Sequence, residues 1–141
     1  MSERLVVLDT NVVLDMLHFD DPLARPLRHA LESGRLRGAA TPASFDEWQR
    51  VLAYPAFALD AVRQAEGVEC YRAACTFFEA SSMAGVPRCT GADDQKFLDL
   101  AAALAVPLIS KDHAVLTLRR RCAPLFPIMT PAAAADWLAT G

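Results

Sequence analysis

Three features of this sequence predict an α/β fold with a parallel sheet and helices on both of its sides. Short apolar runs rich in strand formers alternate with stretches whose apolar residues recur at helical spacing. The first run, Leu5-Val6-Val7-Leu8, is apolar throughout, as in a central strand covered on both faces. The 141 residues, 53% of them apolar, can build one core and are too few for two ordinary domains, so residues 1–141 are read as one domain.

The elements follow in order. The first strand ends at Asp9-Thr10-Asn11, after which Val12, Val13, Met16 and Leu17 recur at helical spacing. The region of Pro22 and Pro26 begins a second helix that runs towards Ser33-Gly34. Leu36 to Thr41 reads as the second strand. Ser44-Phe45-Asp46-Glu47 has the form of a capping box, and Trp48, Val51 and Leu52 give the apolar stripe of the helix it would open, which Pro55 stops. Ala58 to Ala80 is helical in composition, but Gly67 interrupts it, and two helices fit the pattern as well as one broken helix. Ser81 to Cys89 has the weakest pattern and is read as a strand. Thr90-Gly91-Ala92-Asp93-Asp94 opens an apolar helix through Phe97, Leu98, Ala101, Leu104 and Ala105. Pro107 to Ser110 is a strand, Lys111-Asp112-His113 follows it, and a short helix runs through Leu116 and Leu118. After Arg119-Arg120-Arg121, Phe126 to Met129 forms an edge strand, where a proline is tolerated. Pro131 suits the first turn of a closing helix that contains Ala135 and Trp137.

A net charge of −3 and a pI near 5.5 argue against a broadly basic nucleic-acid coat and leave room for a local basic rim. Cys70, Cys75, Cys89 and Cys122 form no C-x-x-C pair and have no histidine at finger spacing, which argues against a structural zinc site. They are read as reduced, mostly buried thiols. The apolar run that ends at Asp9 is too short for a signal peptide, and Leu100 to Ile109 falls far below the roughly 20 residues of a membrane span. A soluble cytoplasmic protein is therefore expected.

In such sheets the functional crevice lies beyond the carboxyl ends of the strands. Asp9 directly follows the first strand and Asp112 lies just beyond another. Glu47, Asp93 and Asp94 are read as lying in the first turns of helices. Each has a bland explanation: Asp9 and Asp112 as helix caps, Glu47 as the third residue of a capping box, Asp93 and Asp94 as partners of the helix dipole. Their shared placement at helix starts along one sheet edge favours a cluster. Clustered carboxylates repel one another and raise their pKa values unless a cation neutralises them. Oxygen donors without histidine or thiolate suit Mg2+ or Mn2+, and such a centre supports phosphodiester hydrolysis.

At these residues the chain resembles PIN-domain proteins, in particular the PIN-family toxin components of toxin–antitoxin pairs. The matching segments are Val7-Leu8-Asp9-Thr10-Asn11-Val12, Glu47 to Leu52 with Pro55 and Phe57, Asp93 to Ala101, and Ile109-Ser110-Lys111-Asp112. The resemblance implies a three-layer α/β/α fold with a five-stranded parallel sheet and a metal-dependent endoribonuclease activity. By matching position it assigns the acidic quartet to Asp9, Glu47, Asp94 and Asp112. Thr10 and Asn11 match positions near the metal and are expected to orient Asp9 or a water. Asp99 is expected on a solvated face. Relatives commonly carry a further acidic residue where this chain has Ala114, which favours one metal over two.

The expected mechanism has Asp9, Asp94 and Asp112 ligating Mg2+ or Mn2+ and Glu47 positioning or deprotonating water, leaving a 5′-phosphate and a 3′-hydroxyl. Arg50, Lys96, Lys111 and Arg119 to Arg121 are candidate RNA phosphate contacts, the arginine run competing with its reading as a solvated helix end. His113 is a candidate for the substrate phosphate or an ordinary surface histidine. For a toxin of this family, an antitoxin protein over the groove and a homodimer are the implied partners. The alternative is a non-catalytic PIN-like module that binds RNA or protein. An aspartyl-nucleophile phosphohydrolase ranks last, because Asp9-Thr10-Asn11 is not D-x-D.

Overall fold

A computed structural model describes residues 3–79 and 82–140. Its centre is a five-stranded, all-parallel sheet in the order β3-β2-β1-β4-β5, where β1 is Arg4–Leu8, β2 Leu36–Ala40, β3 Cys75–Phe77, β4 Leu108–Ile109 and β5 Ile128–Met129. The first strand is central. Its Arg4 to Val7 pair with Leu36 to Ala39, while Val7 and Leu8 pair with Leu108 and Ile109 on the other side. Strand order reverses there, so the cleft between the carboxyl ends of β1 and β4 is the topological switch point.

Alternation along the strands divides the core into two layers. Val6, Leu8, Leu36 and Ala40 pack with α1 (Thr10–Leu17), α2 (Arg25–Glu32), α3 (Pro42–Leu52), α4 (Ala61–Ala74) and α8 (Pro131–Ala139). Val7, Ala39, Leu108 and Ile128 face the other way, onto α5 (Gln95–Leu104), α6 (His113–Leu116) and α7 (Arg119–Cys122). This is the expected three-layer α/β/α architecture, with the sheet buried on both faces.

Three local expectations are corrected. The helix carrying Glu47 is capped by Thr41, not Ser44: the Thr41 amide donates to Ser44 Oγ (2.9 Å) and the Ser44 amide to Thr41 Oγ1 (3.2 Å). Pro42, pre-set for the first helical position, starts the helix two residues before Ser44, so Glu47 sits in its second turn and caps nothing. The stretch read as helix to Ala80 ends at Ala74, and Cys75–Phe77 supplies the edge strand that had been assigned to Ser81 to Cys89. Residues 82–89 hold no strand, and Ala80 and Ser81 lie outside the described residues. Strand-forming Cys-Thr-Phe pairs with Gly38 to Ala40, a non-local gain that no helical pattern reveals.

Gly67 does not break α4. Leu52 of α3 packs so closely on it that a Cβ there would lie 3.0 Å from both Leu52 methyls. The Gly67 carbonyl accepts from the indole Nε1 of buried Trp48 (3.0 Å), which ties the two helices together.

Candidate active site

Each acidic residue reaches the switch point by a different local device. Asp9 is 3% exposed and caps α1, its Oδ1 accepting from the Val12 amide at 3.0 Å. Its Oδ2 accepts from the hydroxyl of Ser110, a fully buried residue just after β4. The same Ser110 oxygen accepts from the Asp112 amide at 3.0 Å, so one hydroxyl links the ends of β1 and β4. Asp112 caps α6 through Oδ1 and the Ala114 amide (2.9 Å). The cap readings of Asp9 and Asp112 are thus correct as local structure; Asp9 still lines the cleft, and Asp112 is tied to it through Ser110. Asp94 stands at the start of α5 yet makes no capping hydrogen bond. Gly91 makes room for it, since a Cβ there would lie 2.6 Å from Asp94 Oδ2.

The electrostatics connect these groups. Burial holds the Asp94 carboxyl up at about 6, assisted by the charges of Asp112 and Asp9, a hydrogen bond with Asp112, and the charge of Glu47. Asp9 is also raised, by burial first and by Asp112, against the lowering pull of Ser110, the Val12 amide and Lys111. A carboxyl that responds to three others lies among them. Among the described residues Asp9, Asp94 and Asp112 have no lysine, arginine or histidine within ion-pair distance.

Glu47 is different. It accepts from Lys96 Nζ of α5 at 2.8 Å and from the Thr10 hydroxyl. Thr10 thus holds Glu47, while Ser110 and the Val12 amide hold Asp9; of the two expected roles for Thr10, orienting Asp9 or a water, the contact observed is with neither. Asn11 is exposed and lines the cleft without a hydrogen bond to Asp9 among the described residues. Lys96 also donates to the Asp93 carbonyl, and Lys111 Nζ pairs with buried Asp15 at 2.7 Å. Both lysines thus spend their charge within the protein, whereas Arg50 has no ion pair among the described residues. Asp93, His113 and the run Arg119 to Arg121 are exposed. Asp99 is not on a solvated face: it is buried and accepts from Gln95 Nε2 at 3.1 Å.

The cleft has a volume of about 510 Å³. Asp9, Glu47, Asp94 and Arg50 line it with Val51, Tyr54 and Phe57. Glu47, Arg50, Val51 and Tyr54 form one stripe at helical spacing, running off the end of α3. Sequence reading missed Ser110, Gly91, Asp15 and Tyr54. Ser110 and Gly91 lay inside the matched or helix-opening segments; the Ser110–Asp9 contact crosses the chain and leaves no trace in spacing, while the Gly91–Asp94 approach is local.

Among the described residues no three His, Cys, Asp or Glu side chains stand together closely enough to hold one ion as they are now oriented. The donor set nonetheless fits a hard divalent cation: carboxylate oxygens alone, two of them, Asp94 and Asp9, raised by burial first and by their neighbours' charge, with no protein cation paired to three of the four.

A doubly wound parallel α/β protein with acidic residues gathered at its switch point is thereby defined. The chain belongs to the PIN domain family, whose pattern it matches over residues 5–114. It is similar in structure to VapBC2 from Rickettsia felis bound to a DNA fragment from its promoter, with a TM-score of 0.63 and 11% sequence identity, over 89% of this chain and 98% of that one. At that identity the likeness concerns the fold. Among curated proteins none matches the sequence. No helix among the described residues is long and apolar enough to cross a membrane.

Proposed function

We propose that this chain is a metal-dependent endoribonuclease that acts as the toxin of a toxin–antitoxin pair. The observation that carries the reading is the convergence of Asp9, Glu47 and Asp94, from three elements, on one cleft, with Asp112 tied to Asp9 through Ser110. Family membership supports it, PIN domains being generally nucleases.

Asp9, Asp94 and Asp112 would hold Mg2+ or Mn2+. When bound, the ion lowers the pKa of water and offsets charge on the attacking and leaving oxygens. Ser110 fixes the Asp9 carboxylate through Oδ2, and Gly91 leaves space for Asp94 against the backbone. Glu47, held by Thr10 and Lys96, positions the attacking water or takes its proton. Arg50 meets an RNA phosphate at the cleft wall. Lys96 and Lys111 act first on Glu47 and Asp15, and reach phosphate only by leaving those partners.

Purified protein should cleave RNA with Mg2+ or Mn2+ and stop in chelator. Asp9→Asn and Asp94→Asn should each lower cleavage at least about 100-fold while the fold survives. Undiminished turnover in both variants removes the mechanism. For the toxin role, expression of the wild type should arrest growth and Asp94→Asn should not. An antitoxin covering the groove and a homodimer are the partners this reading expects.

A second reading, a PIN-like module that binds RNA or protein without cutting, is favoured by two observations: among the described residues no three potential ligands now converge, and Lys96 pairs with Glu47. Equal RNA binding with and without chelator, and no cleavage in either, would select it.

A further inference from the structure

Glu47 shares one cleft with Asp9 and Asp94, and a hard divalent cation draws carboxylates without regard to the part each is to play. Something in the protein must therefore keep Glu47 apart if it is to order water and not the ion. Both of its oxygens are already engaged. Oε1 accepts from Lys96 Nζ at 2.8 Å and Oε2 from the Thr10 hydroxyl. Thr10 directly follows Asp9 on α1, and Lys96 stands two residues after Asp94 on α5. The carboxylate of α3 is thus tied back to the two segments that carry those aspartates.

Lys96 is itself fixed. Its Nζ also donates to the Asp93 carbonyl and lies 4.8 Å from the ring centroid of Phe97, which is buried. The side chains of Lys96 and Glu47 are only 22% and 15% exposed, so the pair has left most of its water and neither partner is easily released. Its contacts and burial set it apart from a surface pair, which is worth little. Asp94 is nearer in sequence, yet among the described residues it receives no ion pair from this lysine. The ammonium is directed to one carboxylate of the four.

We infer that Lys96 is a positioning residue that holds Glu47 outside the coordination sphere of an ion bound by Asp9, Asp94 and Asp112. The inference rests on the nuclease reading for the ion, and deepens it by dividing the acidic residues into three ligands and one reserved carboxylate. Thr10 alone would not suffice, because a hydroxyl donates a hydrogen bond without charge. The ammonium neutralises Glu47 from the side of α5 and so removes the pull that would bring it onto the ion. Nζ already spends donors on Glu47 and Asp93, beside a carboxylate that repels phosphate, which disfavours a direct contact with RNA.

Crystals soaked in Mn2+ test this by anomalous scattering. In the wild type the ion should sit on the three aspartates with Glu47 still on Lys96. In Lys96→Met, which keeps an apolar stem over Phe97 and loses the charge, the Glu47 carboxylate should move onto the ion. In solution Lys96→Met should bind Mn2+ about 10-fold more tightly and lower kcat about 10- to 100-fold with KM little changed. Lys96→Arg keeps a cation within reach of Glu47 and should restore Mn2+ affinity and kcat together. RNA binding in chelator should be the same in Lys96→Met and wild type. Glu47 on the ion in the wild type, or off it in Lys96→Met, overturns the inference. So does weaker RNA binding by Lys96→Met in chelator with a salt slope reduced by about one, which would assign the lysine to a phosphate. Absence of Mn2+ from both crystals sinks the metal reading and the inference together, whereas absent cleavage by a wild type with the expected ligands sinks only the nuclease reading.

Discussion

The acidic residues around the switch point fall into two groups that the chain treats in opposite ways. On the floor, Asp9, Asp94 and Asp112 have no protein cation among the described residues; Asp9 and Asp112 accept from the Val12 and Ala114 amides and are joined through the Ser110 hydroxyl, whereas Asp94 makes no capping hydrogen bond. On the flanks, Glu47 holds Lys96 and Asp15 holds Lys111, at 2.8 and 2.7 Å. The difference lies in where neutralising charge comes from. Flank carboxylates receive it from α5 and from the loop after β4, whereas the floor has no protein cation among the described residues to relieve its repulsion.

The contrast is broken most directly at Ser110. Ser110→Ala removes the donor to Asp9 Oδ2 and the acceptor of the Asp112 amide inside a buried site, and should destabilise the protein by about 1–3 kcal/mol in urea unfolding. Unaltered stability would mean that the floor is not held by this hydroxyl.

A smaller effect, of opposite sign, is expected at Asp94. Its folded-state carboxyl titrates near 6 instead of 3.8, so between those values the folded chain keeps a proton that the unfolded chain has lost. Stability therefore falls as pH rises through that window, and the loss is complete above it. Asp94→Asn removes the titration: at pH 7 it should be more stable than wild type, by on the order of 1 kcal/mol after allowance for solvent screening, and the gap should close towards pH 4. Thermal melts across pH 4 to pH 8 read this directly. A gap that does not vary with pH would show that folding does not raise the Asp94 carboxyl, and saturating Mg2+ should narrow the gap at pH 7 by binding only the wild type well.

On the flank the sign returns to loss. Lys111→Met leaves Asp15 buried without its ammonium and should cost about 1 kcal/mol, because the lysine itself is half exposed. Added Mg2+ should not recover it. Recovery would mean that Asp15 belongs with the floor.

Much of this was legible beforehand, for identifiable reasons. Asp9 and Asp112 could be found because each ends a strand and begins a helix, and a parallel sheet sends such junctions to one edge. Asp94 required counting back from Leu98 and Ala101 in a resembling segment. Glu47 was found by resemblance alone, since its supposed capping role belongs to Thr41 and Ser44. The edge strand was misplaced because Cys75–Phe77 directly continues a helical stretch and gains its identity from pairing with β2.

The order of apolar periods, with prolines and caps at the joins, by itself determined the alternation of strands and helices, and so the layered parallel sheet. Those signals are local, set by side-chain period and backbone geometry within a turn or two. Tertiary structure alone decided that Ser110 bridges Asp9 and Asp112, that Thr10 and Lys96 claim Glu47, and that Tyr54 and Phe57 form the wall beside them. Those contacts join residues from 2 to 101 positions apart, and no spacing along a chain encodes which distant oxygens a hydroxyl or an ammonium will meet.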